Sequence, residues 1–204
     1  MERIKKSTKD KLIFDTFMLF TQNTYDRVTF DEIEKATGLT RGAISYHFGT
    51  KDNLFMEVME EYVFKRGSIL QVPIRGNETC VLINFIKNFI KHCHEETERV
   101  KKFGITNFNK AYFNLESQGV FFYPNFINKV VQWLDVEKKV WESVIEMAIQ
   151  NKEIKNDIDT KRFASVFAKL YLGDSYIGVF HTNGQDLDEL EKDFMSVYNL
   201  MKSE

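Results

Sequence analysis

The stretch Thr29–Phe48, TFDEIEKATGLTRGAISYHF, constrains the fold of this 204-residue chain more than any other segment. Thr29 followed by Glu32 is a capping box, which indicates a helix beginning just before an apolar residue. Gly38 permits the left-handed turn that ends a short helix, and Thr40 can cap a second one. Two short helices joined by a tight turn are therefore predicted, and the rest of the chain must hold them.

Helical spacing of apolar residues continues on both sides of this stretch, whereas no segment alternates as a strand does. The chain has only two prolines, Pro73 and Pro124, which favours long uninterrupted helices. The predicted fold class is all-α. Beyond the central pair we expect helices over Ser7 to about Thr21, about 51–70, roughly 78–98, about 103–116, about 125–150 after a break from Gly119 to Pro124, from Asp157 or Asp159 to about His181, and from Asp186, where Glu189 helps to cap the last helix.

A break around residues 71–77 is the best candidate for a domain boundary, because Pro73, Gly76 and Asn77 fall within it. We predict an N-terminal three-helix domain with a helix-turn-helix over residues 1–52. A fourth helix, about 51–70, connects it to a second helical domain over residues 71–204.

Several classes of protein are excluded by what the sequence lacks. No apolar run reaches about 18 residues, so no membrane span is expected, and the charged N-terminus MERIKKSTKDK lacks the apolar core of a secretory signal. We therefore expect a cytoplasmic protein. Cys93 lies between His92 and His94, but consecutive helix residues diverge, so no metal site is predicted. Catalytic signatures such as HExxH, GxSxG or a Gly-rich phosphate loop are absent, so neither an enzyme nor a cofactor is expected.

The second helix of the central pair has an outward face suited to DNA. Ile44 and Phe48 belong to its core side, which leaves small, polar and basic residues outside. The helix N-terminus with Thr40 can bind a phosphate, and Arg41 can reach a guanine edge or a phosphate. Small residues let the backbone approach, and flanking polar residues can meet bases or phosphates. The predicted DNA-binding residues are Thr29, Thr40, Arg41, Gly42, Ala43, Ser45, Tyr46, His47 and Lys51.

The charge of the chain supports this prediction only weakly. The formal net charge is −2, but residues 1–51 carry nine Lys/Arg against seven Asp/Glu, and the remainder carries 19 against 23. The first part is therefore slightly basic and the rest slightly acidic, so geometry and pairing of two copies must contribute what bulk charge does not.

At these residues the chain resembles the TetR (tetracycline-repressor) family of bacterial transcriptional regulators. The match is dense over about residues 8–60, where ATGLTRGAISYHF and the following Lys51 and Leu54 agree with the family pattern. Three positions depart from it: Thr24-Tyr25 replaces the usual Gly-Tyr, Glu34 replaces Ala, and Ser45 replaces the more usual Tyr, with Tyr46 beside it.

The resemblance implies a two-fold homodimer whose recognition helices enter successive major grooves of a palindromic operator. It also implies a four-helix interface from the last two helices of each subunit, in which apolar residues of the final helix follow a narrow 3-4-3-4 spacing. The alternative is that these stripes cover only the subunit's own core. The predicted interface residues are Phe163, Phe167, Leu170, Gly173, Ile177, Leu190, Phe194, Val197 and Met201.

An aromatic-rich region before those helices suggests a cavity for an unidentified small effector that is apolar or planar. The predicted ligand-binding residues are His92, Phe108, Tyr112, Gln118, Phe126, Trp133, Phe167 and Tyr171.

Together these features favour a homodimeric repressor that acts on nucleoid DNA and is released from its operator by a ligand. The alternative is a helical interaction protein in which the helix-turn-helix serves packing only.

Overall fold

A computed structural model describes residues 8–66, 69–76 and 79–203. In this part of the chain the secondary structure is helical, apart from one isolated antiparallel bridge between Ile154 and Lys202. The prediction of an all-α fold is confirmed. The α-helices are α1 Thr8–Gln22, α2 Phe30–Thr37, α3 Arg41–Phe48, α4 Lys51–Val58, α5 Val81–Lys101, α6 Phe108–Phe122, α7 Phe126–Gln150, α8 Thr160–Gly178 and α9 Leu187–Met201, and α4 continues as π-helical turns over Met59–Arg66.

The central helix pair forms as its capping residues predict. The Thr29 hydroxyl accepts a hydrogen bond from Glu32 N at 3.3 Å, and Glu32 Oε2 accepts one from Thr29 N at 2.8 Å. Gly38 ends α2 with φ +70°, in the left-handed region that favours glycine. Thr40 then caps α3 by accepting a hydrogen bond from Ala43 N at 3.3 Å. These local bonds fix the turn between the two helices.

Two predicted details differ from the structure. The break predicted from Gly119 to Pro124 occurs, but it begins only after Phe122, because α6 runs through Gly119, and α7 starts at Phe126. A Cβ on Gly119 would lie 2.6 Å from the Phe126 ring, so this glycine permits close packing. At the start of α9, the Asp186 side chain caps the helix by accepting hydrogen bonds from the backbone N–H groups of Asp188 and Glu189, at 3.1 Å each. Glu189, which was expected to help, pairs with Lys192 instead.

Contacts divide the chain into two compact units, and each combines two stretches of sequence. Unit 1 is Met1–Gly67 with Ala111–Asn128, and unit 2 is Ser68–Lys110 with Lys129–Glu204. None of the described helices is both long and apolar enough to cross a membrane.

The core of unit 1 packs α1 against α2 and α4. Phe20 lies at its centre, with its ring edge-on to Phe55 at 4.9 Å between centroids. The second stretch of the unit contributes Phe122, which stacks on Tyr25 at 4.1 Å. Residues from α6 therefore complete the packing around the helix-turn-helix.

Asn114 of α6 also closes the end of α1. Its side-chain amide nitrogen donates to the carbonyl oxygens of Phe20, Thr21 and Asn23, at 3.0, 3.3 and 3.3 Å. Carbonyls in the last turn of a helix have no partner within the helix. A side chain 91 to 94 residues away in sequence thus acts as a C-terminal cap.

Unit 2 is built around Trp141, which is fully buried. Its ring stacks on Phe167 at 4.6 Å and meets the edges of Phe85 and Phe194 at 4.9 and 5.5 Å. Glu153 caps α5 by accepting hydrogen bonds at 3.0 Å from the first backbone N–H groups of that helix. A buried carboxylate thus replaces the local cap that is absent there.

Candidate nucleic-acid interface

Helix α3 turns one side to the core of unit 1 and the other to solvent. Ile44 and Phe48 on the inner side are 1% and 7% exposed, whereas Tyr46 on the outer side is 86% exposed. On a helix with 3.6 residues per turn, Tyr46 therefore lies opposite the core, and Gly42 and Ala43 precede it by one turn on the same side. The outer face is a projecting aromatic ring beside two small residues.

The surface above Gly42 is open. A Cβ placed on this residue would meet, among the described atoms within 4 Å, only the Thr40 hydroxyl at 3.9 Å. The conformation of unit 1 therefore does not require glycine at this position. A small residue there leaves room for another molecule to approach the helix closely.

Arg41 is exposed at the first position of α3 and lies over the ring of Phe30, with 4.9 Å between the guanidinium carbon and the ring centroid. Stacking restricts the side chain, while the in-plane donors of a guanidinium remain available to a base or phosphate. Thr40 precedes it, and the unpaired amides at a helix N-terminus attract anions. This end of α3 is suited to a phosphate.

The other predicted contacts on α3 surround Tyr46. His47 is exposed and its ring meets Tyr46 edge-on at 5.4 Å, whereas Ser45 and Ala43 are half-buried. The exposed aromatic rings and the half-buried small side chains form one continuous surface along the helix. Its shape matches an α-helix that inserts into a groove.

Lys51 is engaged within unit 1. Its Nζ donates to the backbone oxygen of Tyr25 at 3.0 Å and lies 4.0 Å from the centroid of the same ring. The Tyr25 hydroxyl in turn donates to Asp52, and burial together with this carboxylate raises the pKa of Tyr25. An ammonium has three donors, so Lys51 can still reach a phosphate, but it also holds the start of α4. Thr29 is similarly occupied by its capping box.

Two supporting residues were not identified from the sequence. Phe30 positions Arg41, and Tyr25 positions Lys51 across 26 residues of sequence. In each pair the aromatic residue and the basic residue are far apart in the sequence. No local sequence pattern therefore indicates that they are in contact. The pairs become recognisable only when the helices are placed together.

The predicted dimer residues fall into three groups in unit 2. Gly173 and Ile177 are exposed on α8, and they have exposed neighbours in Leu172, Tyr176 and Phe180, which follow a four-residue spacing that sequence analysis missed. Partly buried residues that pack against the core are Phe163, Leu170 and Val197. Residues that lie in the core itself, at 0–1% exposure, are Phe167, Leu190, Phe194 and Met201.

The predicted ligand-binding residues are distributed over both units. In unit 1, Gln118 donates to the backbone oxygens of Asn23 and Asn114, Tyr112 meets the edge of Phe17, and Phe126 packs on Phe64. In unit 2, Phe167 belongs to the core, and Tyr171 meets Phe89 edge-on at 5.0 Å. The remaining three, His92, Phe108 and Trp133, are half-buried in unit 2.

A depression of about 670 Å³ lies elsewhere in unit 2, between the end of α5 and the connection from α8 to α9. It contains none of the predicted ligand-binding residues. Polar and charged side chains line it, among them Glu98, Lys101 and Asp188, and Asp188 lies 3.7 Å from His94. An open, charged depression does not suit an apolar ligand.

His92, Cys93 and His94 occupy consecutive positions on α5. Burial, with the nearby charge of Glu137, raises the pKa of Cys93 to about 12, so the thiol stays protonated at neutral pH. Metals bind the thiolate. Within residues 8–66, 69–76 and 79–203, no cluster of three or more His, Cys, Asp or Glu side chains could hold a metal ion.

Comparison with known proteins places this helix-turn-helix among bacterial regulators. The sequence profile described as "Bacterial regulatory proteins, tetR family" matches residues 12–58. The HTH-type transcriptional regulator QacR of Staphylococcus aureus is 41% identical over 51 residues, which is 25% of this chain and 27% of QacR. The chain thus aligns with only about a quarter of that relative's length. The HTH-type transcriptional regulator AcrR of Shigella flexneri is 21% identical over 202 residues, 94% of this chain and 87% of AcrR.

Solved structures extend the likeness of fold to nearly all of the chain. The crystal structure of a TetR transcription regulator from Haloarcula marismortui superposes with a TM-score of 0.75, although its sequence identity is 15%. The match covers 96% of this chain and 98% of the other. Unit 2 therefore has a fold found in such regulators, even where the sequences have diverged.

Proposed function

The chain belongs to the TetR family of bacterial regulatory proteins, and from this premise we propose that it binds an operator through α3 as a homodimer and represses transcription until a small ligand releases it. The family consists of DNA-binding regulators without enzymatic activity, which supports the prediction that this chain is not an enzyme.

One observation carries the proposal: the outer face of α3 projects Tyr46 into solvent beside the open surface of Gly42. An 86% exposed tyrosine has no packing function in unit 1. The major groove of B-DNA is about 12 Å wide and admits an α-helix with its side chains. We propose that Tyr46, Ser45 and Arg41 contact bases or nearby phosphates, and that Thr40, His47 and Lys51 contact the backbone.

A homodimer is proposed because one helix-turn-helix contacts too few base pairs to define a unique site. Two copies of α3 would enter grooves about 34–36 Å apart on a palindromic operator. The exposed apolar face of α8, which comprises Leu172, Gly173, Tyr176 and Ile177 and is continued by Phe180 just after the helix, supports pairing through this helix. Exposed apolar residues that are grouped in this way commonly mark an interface. The core residues of unit 2 would not contribute directly.

Ligand control is proposed for unit 2, where Trp133 and Tyr171 provide aromatic surface. A ligand that binds one dimer arrangement better than the other shifts the population by its difference in affinity. A shift from 1:99 to 99:1 requires about 5.5 kcal/mol. Blocking polymerase access in the ligand-free state would make the protein a repressor.

The proposal is tested by selecting fragments of the source genome that bind the purified protein, then measuring affinity by fluorescence anisotropy. Tyr46→Ala and Arg41→Ala should each weaken binding by roughly 10- to 100-fold, since a good base contact contributes about 1–3 kcal/mol. Lys139→Ala removes an exposed charge from α7 and serves as the matched control, with binding unchanged. All three variants should melt like the parent protein.

The interaction-protein alternative predicts a different result. If no genomic fragment is enriched, or if Tyr46→Ala and Arg41→Ala bind as tightly as the control, α3 is not a DNA-binding surface. Where a fragment is enriched, higher salt should weaken its binding steeply, because phosphate contacts release counterions.

A further inference from the structure

The ring beneath Arg41 comes from the other helix of the helix-turn-helix. Phe30 is the first residue of α2, and Arg41 is the first residue of α3. Phe30 is half-buried and Arg41 is exposed, with 4.9 Å between the guanidinium carbon and the ring centroid. Among the described residues, the Arg41 side chain forms no hydrogen bond and no ion pair. The protein therefore supports the face of the guanidinium and leaves the N–H groups at its edge to another molecule.

Stacking of this kind selects one orientation of a flexible side chain. An unsupported arginine samples many rotamers, and recognition through two parallel N–H groups requires it to keep one of them. Cation–π attraction acts on the face of the guanidinium, whereas its hydrogen bonds form in the plane. The ring is itself held in place, because Phe30 directly follows Thr29, whose capping box with Glu32 fixes the start of α2. Phe30 thus reduces the ordering that Arg41 must undergo when it binds.

The position of Arg41 favours a base over a phosphate as its target. Thr40 and the amides at the start of α3 already offer a site for a phosphate without the arginine. In a helix-turn-helix, the N-terminal residues of the second helix contact base edges in the major groove. Guanine presents two acceptors there, and an arginine that binds both is the commonest specific contact. Because a guanine edge is planar and held by its base pair, the plane of the guanidinium decides whether both bonds form.

We propose that Phe30 is a specificity-determining residue that acts through Arg41. It holds the guanidinium in the plane that pairs with a guanine, so that each operator half-site requires a G·C pair at one position. Phe30 does this as a positioning residue, without a base contact of its own. This inference rests on the proposed function and specifies the base that Arg41 recognises. In the opposite arrangement, stacking would hold Arg41 away from DNA, and the two arrangements predict different results.

The test measures base preference as well as affinity. Each base pair of a selected genomic fragment is replaced in turn, symmetrically in both half-sites, and fluorescence anisotropy gives the affinity for every replacement. The parent protein should prefer G at one position of the half-site by at least about tenfold. Phe30→Leu should reduce this preference to about twofold or less and leave the other positions unchanged, whereas Phe30→Tyr keeps the ring and should retain it. Phe121→Leu, which removes an exposed ring elsewhere in unit 1, is the control and should behave like the parent protein.

A double-mutant cycle separates positioning from a structural role. In an Arg41→Ala background, Phe30→Leu should change operator affinity by less than about twofold, because the ring then has no guanidinium to hold. The salt dependence of Phe30→Leu should keep the slope of the parent protein, since no phosphate contact is lost. Low ionic strength keeps the binding of the weakened variants measurable. A structural effect of Phe30 would instead lower the melting temperature and weaken binding to every sequence alike, with or without Arg41.

Three results would overturn the inference. The first is a preference for G that survives Phe30→Leu, and the second is a loss of affinity that is equal at all positions or persists in the Arg41→Ala background. Tighter binding by Phe30→Leu is the third, because it would show that the stack holds Arg41 away from DNA. If an operator is found and Arg41→Ala weakens its binding, any of these results removes the role of Phe30 and leaves the proposed function standing. If no genomic fragment binds, the proposed function fails and this inference fails with it.

Discussion

Substitutions at Gly42 should change helix stability and DNA binding in different ways, so the two effects can be measured separately at one position. It is exposed in α3, and a Cβ would meet only the Thr40 hydroxyl at 3.9 Å within 4 Å among the described atoms. Replacing a helical glycine by alanine stabilises a helix by roughly 0.5–1 kcal/mol, because glycine loses more backbone freedom on folding. In a chain of this size we expect Gly42→Ala to raise the melting temperature by about 1–4 °C.

Gly42→Gln is the matched variant, since the helix propensity of glutamine is close to that of alanine. It should also melt at or above the parent temperature. Its longer side chain would fill the space between α3 and the base edges of the major groove. The helix would then lose more than one base contact, and each such contact contributes about 1–3 kcal/mol. Operator affinity should fall by about 100-fold or more, equivalent to about 2.7 kcal/mol.

Differential scanning calorimetry and anisotropy with a selected genomic fragment measure the two effects on the same preparations. The reasoning is refuted if Gly42→Gln binds the fragment as tightly as the parent protein, because α3 would then not approach DNA at this face. A lower melting temperature for Gly42→Ala would contradict the open surface above Gly42.

Three further predictions concern the framework of the two units. Asn114→Leu should reduce the free energy of unfolding by about 1–3 kcal/mol, since it leaves carbonyls of α1 without their donor; urea unfolding measures this loss, and an unchanged midpoint would contradict the cap. Raising the pH should destabilise the folded chain through Glu137: its pKa is raised from 4.5 to about 7, so its contribution is complete below about pH 4.5 and is lost as pH rises through 7. The contribution of Glu137 is at most about 3 kcal/mol, and Glu137→Gln, compared in urea at several pH values, should lose this share, whereas the share of Glu116, whose pKa is also raised to about 7, should remain. Tyr176→Asp should yield folded monomers in sedimentation velocity, because it places a charge in the proposed apolar interface; a stable dimer would exclude this face of α8.

Local hydrogen bonds explain why the helix-turn-helix could be predicted from the sequence. The bonds of Thr29 to Glu32 and of Thr40 to Ala43 span three residues, and Gly38 takes the left-handed backbone conformation that glycine adopts readily because it has no Cβ. Such features depend on neighbouring residues, so their spacing is enough to identify them.

Residues that act across the fold could not be predicted in this way. The helical spacing of Leu190, Phe194 and Met201 shows that one side of α9 is buried, but the same spacing arises whether the covering surface is another subunit or the subunit's own core. In the structure the core of unit 2 covers them. Glu137 is likewise one of many acidic residues in the sequence until the packing of α7 buries it.

The composition of unit 1 limits how its parts can be exchanged between proteins. Its second stretch begins at Ala111 within α6 and ends at Asn128 within α7, so both of its boundaries fall inside helices. A gene fragment for residues 1–67 would encode α3 without Phe122 and Asn114, which complete the packing of Tyr25 and the end of α1. A chimera with new operator specificity should therefore carry residues 111–128 as well. Recombination at a single point would separate these parts, so substitutions on the outer face of α3 are the simpler evolutionary route to a new operator.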